Sequence, residues 1–186
     1  MTKVLLLLGS QREGFNAALA ETAKQELRAL GATIATYRNL AHLPHYRPEL
    51  DEAAVDPHVD EFRELVRGAD ALLLVTPEYN GGPSSLIKNA VDLASRPVEG
   101  RALTGKPAAV IGATPSRGAT SGAREGLIVA LQRGGASPIE TTHGVASAHE
   151  KLTETGYDDQ TRAAVQEVVA ALLAAAREEQ PSLASA

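Results

Sequence analysis

The chain has 186 residues, no cysteine, only 3% aromatic residues and a formal net charge of −5, with acidic and basic residues interspersed. That length suits one domain with its own core, and the missing cysteine excludes a disulfide framework, a thiolate nucleophile and Cys-ligated zinc or iron–sulfur centres while fitting a reducing, cytoplasmic compartment. The charge offers neither a broad basic face for nucleic acid nor a polybasic membrane patch, so a soluble protein of small-molecule partners is expected, with no nucleic acid and no membrane.

The first apolar run, 4–8, has five residues and no small-residue cleavage site behind it, which predicts a strand rather than a signal peptide or a membrane span. A loop, 9–16, leads into a helical pattern over 16–30 with Leu19, Ala23 and Leu27 on one face. A less apolar run, 33–37, reads as a second strand. The long connection 39–57 holds too many prolines for regular structure, yet Leu43, Tyr46 and Leu50 give it apolar side chains to pack over something.

Beyond it lie a helix over 58–67, a wholly apolar strand at 71–75, a loop at 76–83 and a helix over 85–95. A strand at 108–111, a loop at 112–118 and a helix over 122–133 follow, and the Gly134-Gly135 pair stops that helix before a short fifth strand near 137–142. After the connection 142–158, a last helix over 158–179 carries Val165, Val168, Val169, Leu172 and Leu173, and the tail 181–186 is expected to be mobile. Strands apolar on consecutive residues are covered on both faces, so five strands alternating with five helices predict a parallel sheet between two helical layers.

Two loops carry the chemistry. In the first, Gly9 permits a sharp turn after a strand, Ser10 offers a hydroxyl, Arg12 a planar fork of donors, and Asn16 stands where the helix begins. Free amides and the positive end of a helix dipole favour an anion there, and Arg adds charge-assisted hydrogen bonds. A plain helix start with a surface Arg is the alternative. Neither a Walker motif nor a dinucleotide fingerprint is present.

The second loop holds Pro77, Glu78, Tyr79 and Asn80 and then Gly81-Gly82-Pro83, after a central strand. It offers backbone amides, one aromatic face and the Asn80 amide, which suit the edge of a planar heterocycle and negative charge on it. A turn whose Pro and Gly serve geometry alone is the other reading. A third loop, with Thr114, Ser116, Arg117 and Gly118, falls at the same sheet edge.

These motifs resemble the NADPH-dependent FMN reductase family of flavodoxin-like proteins, whose members include quinone, azo-dye and chromate reductases. The resemblance runs from Val4 to the last helix and rests on three elements. They are Gly9-Ser10-x-Arg12, the segment around Leu43-Pro44 and Tyr46, and Pro77-Glu78-Tyr79-Asn80 followed by Lys88-Asn89-Ala90, Asp92 and Ser95-Arg96-Pro97. It implies a flavodoxin-like doubly wound sheet of strand order 2-1-3-4-5 in a domain of residues 1–180. Ser10, Arg12 and Asn16 would hold the FMN phosphate, Pro77, Glu78, Tyr79 and Asn80 would line the isoalloxazine, and Thr114, Ser116 and Gly118 would form the third flavin loop. Also implied are hydride transfer from NADPH or NADH through FMN to a small-molecule electron acceptor, with no protein group in a catalytic acid–base role, and a homodimer or homotetramer built partly on the helix 85–95.

The chain departs from the family pattern at Gly14-Phe15-Asn16, where the first loop is one residue shorter and lacks a Ser. A lost hydrogen bond to a charged group costs about 1.5–3 kcal/mol, or about one to two decades of affinity, unless backbone amides compensate. A flavin-free or electron-carrying flavodoxin-like protein is therefore the alternative function. Outside the loops, His42 and His45 lack partners for a metal site, Ser84, Ser85 and Ser121 sit in no nucleophile elbow, and His143 and His149 are candidates for the substrate side.

Overall fold

Runs of consecutive apolar residues put strands in the middle of the molecule, and the computed structural model, which describes residues 1–37, 40–52 and 55–179, has that arrangement. The chain runs through β1 (Lys3–Leu8), α1 (Phe15–Ala29), β2 (Thr33–Tyr37), α2 (Pro57–Arg67), β3 (Ala71–Val75), β4 (Glu78–Tyr79), β5 (Gly82–Pro83) and α3 (Ser85–Ala94). It continues through β6 (Pro107–Ala113), α4 (Ser121–Gly134), β7 (Ser137–Pro138), β8 (His143–Val145), α5 (Ala148–Lys151), β9 (Leu152–Thr153), β10 (Gly156–Tyr157) and α6 (Asp159–Glu178). The expected tail 181–186 and residues 39, 53 and 54 of the connection 39–57 lie outside the described residues.

The central sheet is parallel, in the order β2-β1-β3-β6-β7, with β8 also paired to β6. Leu6 stands between Thr36 and Leu73 in register, and Leu73 pairs in turn with Ala109. Of the fifth strand predicted near 137–142 only β7 forms, pairing with the start of β6, and a second piece, β8, lies just beyond it in the expected connection 142–158 and pairs with the end of β6. Between the pieces, the Val110 carbonyl accepts from the Thr142 hydroxyl, a side chain doing what a backbone amide does in an unbroken ladder. With β7 and β8 as one position, the order is 2-1-3-4-5, the flavodoxin-like doubly wound arrangement.

Alternation along the strands divides the core. Leu5, Leu7, Leu72, Leu74, Ala108 and Val110 meet α2, α3 and α4 through Phe62, Ile87, Leu93, Leu127 and Leu131. Val4, Leu6, Leu73, Val75, Ala109 and Ile111 face α1 and α6 through Leu19, Leu27, Val165 and Leu172. Each Leu buried in these layers contributes about 1.5–3 kcal/mol relative to exposure, which is why both strand faces are apolar.

The Pro-rich connection packs over the first of these layers, and Leu43 and Leu50 are buried in it. Asn89 of α3 clamps it twice: its Oδ1 accepts from Tyr46 N at 2.9 Å and its Nδ2 donates to Pro44 O at 3.0 Å. The buried Arg63 of α2 donates to Leu50 O at 2.7 Å and to Leu93 O at 3.0 Å, tying the connection to two helices. Burial holds its guanidinium below the ordinary value, against the pull of Asp51.

Candidate functional site

Three loops leave the carboxyl ends of β1, β3 and β6 on one edge of the sheet. In the first, Gly9 N donates to Val75 O at 2.8 Å, and a Cβ at this position would stand 2.6 Å from Ser84 Oγ, so the close approach requires glycine. The Ser10 hydroxyl donates to Arg12 O at 3.2 Å, which curls the loop and leaves the Arg12 side chain exposed. Gly14 is the N-cap of α1; it supplies no capping side chain, and the first turn contains no acid. Helix amides without a side-chain cap, at the positive end of the dipole, make an anion seat.

Asn16 is buried, and its amide crosses the edge to the third loop: Nδ2 donates to Ala113 O at 2.8 Å and Oδ1 accepts from Ala113 N at 2.9 Å. This residue therefore fastens the first loop to the end of β6. The Tyr157 hydroxyl donates to Phe15 O at 3.0 Å and braces the loop from β10, while burial raises its pKa.

The second loop is a hairpin rather than an irregular turn. Asn80 and Gly81 both have positive φ, 51° and 76°, in the two-residue turn that joins β4 to β5 with the twist of the strands. Pro77 is buried, and Tyr79 is 58% exposed. The Glu78 carboxylate accepts from Ala123 N in the first turn of α4 at 3.0 Å.

In the third loop, Thr114 Oγ1 accepts from Ser116 N at 3.2 Å, and Thr114 N donates to Val145 O at 3.0 Å. Its far end, Ala119 and Thr120, holds positive φ of 50° and 54°, a conformation that costs an L residue energy. Arg124 secures it by donating to Ala119 O at 3.2 Å and to Thr142 Oγ1 at 3.1 Å. Burial pulls the Arg124 guanidinium below its ordinary value, with Glu125 and Glu78 opposing.

The loops enclose a cleft of about 430 Å³, lined by Ser10, Arg12, Asn16, Pro77, Glu78, Tyr79 and Thr114, and also by Phe15 and Pro115. Of the residues singled out in the sequence, Asn80, Ser116 and Gly118 lie outside this lining: Asn80 is at the exposed hairpin tip, and Gly118 O accepts from Ser121 N at 3.1 Å. His143 is half-buried at the start of β8 with its pKa lowered by burial, and the exposed His149 has Nε2 3.6 Å from Glu150 Oε1; neither lines the cleft. A larger hollow of about 600 Å³ lies between α1, β2 and the β9–β10 hairpin; alanine and leucine share its walls with Glu21, Thr22, Lys24, Gln25 and Glu154, and neither the 76–83 loop nor the Thr114 loop reaches it. Arg63 went unnoticed in the sequence because its carbonyl partners, Leu50 and Leu93, are 13 and 30 residues away, and Arg124 because its contact to Thr142 Oγ1 spans 18; Asn89 was noted as part of a motif, but its hold on Tyr46 and Pro44 was not.

A doubly wound parallel sheet with a helix N-terminus and two backbone-rich loops at its switch edge defines a flavodoxin-like protein. Residues 2–150 match the family described as NADPH-dependent FMN reductase. An NAD(P)H-dependent FMN reductase of Pseudomonas aeruginosa is 35% identical over 175 residues, 91% of this chain and 92% of that one. A quinone reductase of Pseudomonas putida is 34% identical over 130 residues, 67% of this chain and 69% of that one. Among solved structures, a flavoenzyme NAD(P)H:(acceptor) oxidoreductase of Paracoccus denitrificans has a TM-score of 0.85 at 27% identity, covering 96% of this chain and 98% of its own. The chain belongs to the NADPH-dependent FMN reductase family, and with it to the oxidoreductases that work with NAD(P)H and FMN.

Proposed function

We propose that FMN sits in the three-loop cleft and that electrons from NAD(P)H leave it for a small quinone or flavin acceptor. The observation that carries this reading is the meeting of the uncapped α1 N-terminus, the β4–β5 hairpin and the Thr114 loop around one cleft at the ends of β1, β3 and β6. Ser10, Arg12 and the first amides of α1 take the phosphate, while Asn16 keeps their loop in place through Ala113. Those amides offset the Ser missing from the loop. The backbone from Pro77 to Asn80 and the ring of Tyr79 form one wall of the isoalloxazine pocket, and Thr114 lies on the other side, with Ser116 and Gly118 behind it.

When bound, FMN supplies the redox chemistry, taking hydride from NAD(P)H and passing electrons on. The protein orients the ring, sets its polarity and limits competing reactions, so an acid–base dyad is unnecessary. The same reading takes residues 1–180 as one cytoplasmic reductase domain that forms a homodimer or homotetramer. Val98 and Val129 are about half exposed, and a hollow between α3 and α4 is rimmed by Lys88, Asp92, Arg96 and Arg133, which suits a self-complementary contact.

The test is reconstitution with FMN followed by absorbance and nicotinamide oxidation. The chain is expected to retain FMN at micromolar concentration, and Arg12→Ala to weaken binding by about one to two decades through loss of a charge-assisted bond. No FMN retained by the unaltered protein overturns the reading. Assays with NADH and NADPH against quinones, flavins, azo compounds and metal oxyanions then identify donor and acceptor.

A further inference from the structure

Glu78 is the only carboxylate of the 76–83 loop, and it borders the cleft. Its Oε2 nevertheless lies 3.0 Å from the amide of Ala123, in the first turn of the 14-residue helix α4. That helix receives no side-chain bond from its own N-cap, Thr120, so the cap comes from a separate element 45 residues earlier. A second contact reinforces it. A Cβ on Gly122 would stand 2.3 Å from Gly81 O, so the hairpin tip rests directly on the α4 backbone.

The same helical turn secures the third loop, since Arg124 holds Ala119 O and Ser121 N donates to Gly118 O. Two of the three walls of the cleft are thus referenced to one helix end. We infer that Glu78 is a positioning residue: its carboxylate latches the β4–β5 hairpin to α4 and so sets the spacing between the ring wall and the third loop. A helix N-terminus favours negative charge in this position, and a carboxylate used as an acceptor there orients the backbone beside it rather than exchanging protons with a substrate. The inference rests on the FMN placement proposed above only for its effect on the flavin; the latch itself is a property of the chain.

The experiment compares the unaltered chain, Glu78→Ala, Glu78→Gln and Gly122→Ala by hydrogen exchange of the FMN-free protein, then by FMN titration, flavin absorbance and steady-state kinetics. Glutamine keeps an acceptor oxygen for Ala123 N and loses the charge. Glu78→Ala is expected to speed exchange about tenfold in the hairpin and the first turn of α4 while β1 and β3 stay protected. It should also weaken FMN about tenfold and shift the flavin bands, as should Gly122→Ala, whereas Glu78→Gln should stay within about threefold of the unaltered chain in every readout.

Unchanged exchange in Glu78→Ala overturns the latch whatever FMN does. A Glu78→Gln enzyme with normal exchange and FMN affinity but a kcat as low as that of Glu78→Ala also overturns it, assigning the carboxylate to the reaction itself. If the unaltered chain takes up no FMN, the flavin placement fails, and the exchange comparison alone decides the latch.

Discussion

Asn16 stands at the head of a helix beside an anion seat, yet its amide is engaged with both backbone groups of Ala113, 97 residues away. Removing that amide strands a buried N–H and a buried C=O, each costing about 1–3 kcal/mol when unsatisfied. Asn16→Ala is therefore expected to lower stability by about 2–6 kcal/mol in urea unfolding. Asn16→Asp should be no milder, since a carboxylate accepts from Ala113 N but turns its second oxygen on the Ala113 carbonyl. An Asn16→Ala protein unfolding at the parental midpoint would remove the cross-link from the account. The residue was legible as a helix-start polar group, but its partner was not, because nothing near Asn16 in the chain indicates where β6 ends.

Helices in this chain begin with different devices, and carboxylates cap three of them: Asp56 at α2, Glu78 at α4 and Asp158 at α6. The Asp158 carboxylate accepts from Thr161 N at 2.8 Å, and hydrogen bonding by the Thr161 side chain and backbone holds its pKa below the ordinary value. A depressed folded pKa means that its contribution is complete above the unfolded value, about 3.9, and is lost as pH falls through the folded value. Asp158→Ala should thus cost about 0.5–2 kcal/mol at neutral pH, with the gap narrowing in unfolding measured near pH 3. Asp158→Asn should retain most of the cap without that acid response. An equal gap between Asp158→Ala and the unaltered protein at both pH values would contradict the titration argument.

Association belongs to the whole molecule. The α3–α4 face carries Val129 beside a Lys88–Asp92 pair at 2.7 Å, a mixed surface of the kind that pairs with its own copy. Light scattering during size exclusion should give two or four times the 19.4 kDa chain mass, and Val129→Glu should shift the protein toward the monomer. A concentration-independent monomer for the unaltered chain removes the interface. Among the described residues no helix is long and apolar enough to cross a membrane.

The sequence alone determined the layered architecture, because the signals are local: 71–75 is apolar on every residue and so must be covered on both faces, and Leu19, Ala23 and Leu27 recur at helical spacing. It also located the three loops, since Gly, Pro and Asn after an apolar run mark where a strand ends. Only the tertiary structure decided that the 76–83 loop is a hairpin seated on α4, that the fifth strand is broken around Thr142, and that Asn16 and Glu78 act on distant backbone rather than on neighbours in the chain. The hairpin itself is local, but its seat on α4, the break at Thr142 and the Asn16 cross-link each depend on a hydrogen bond whose two partners are tens of residues apart, and such pairings are set by how the layers stack rather than by any local pattern.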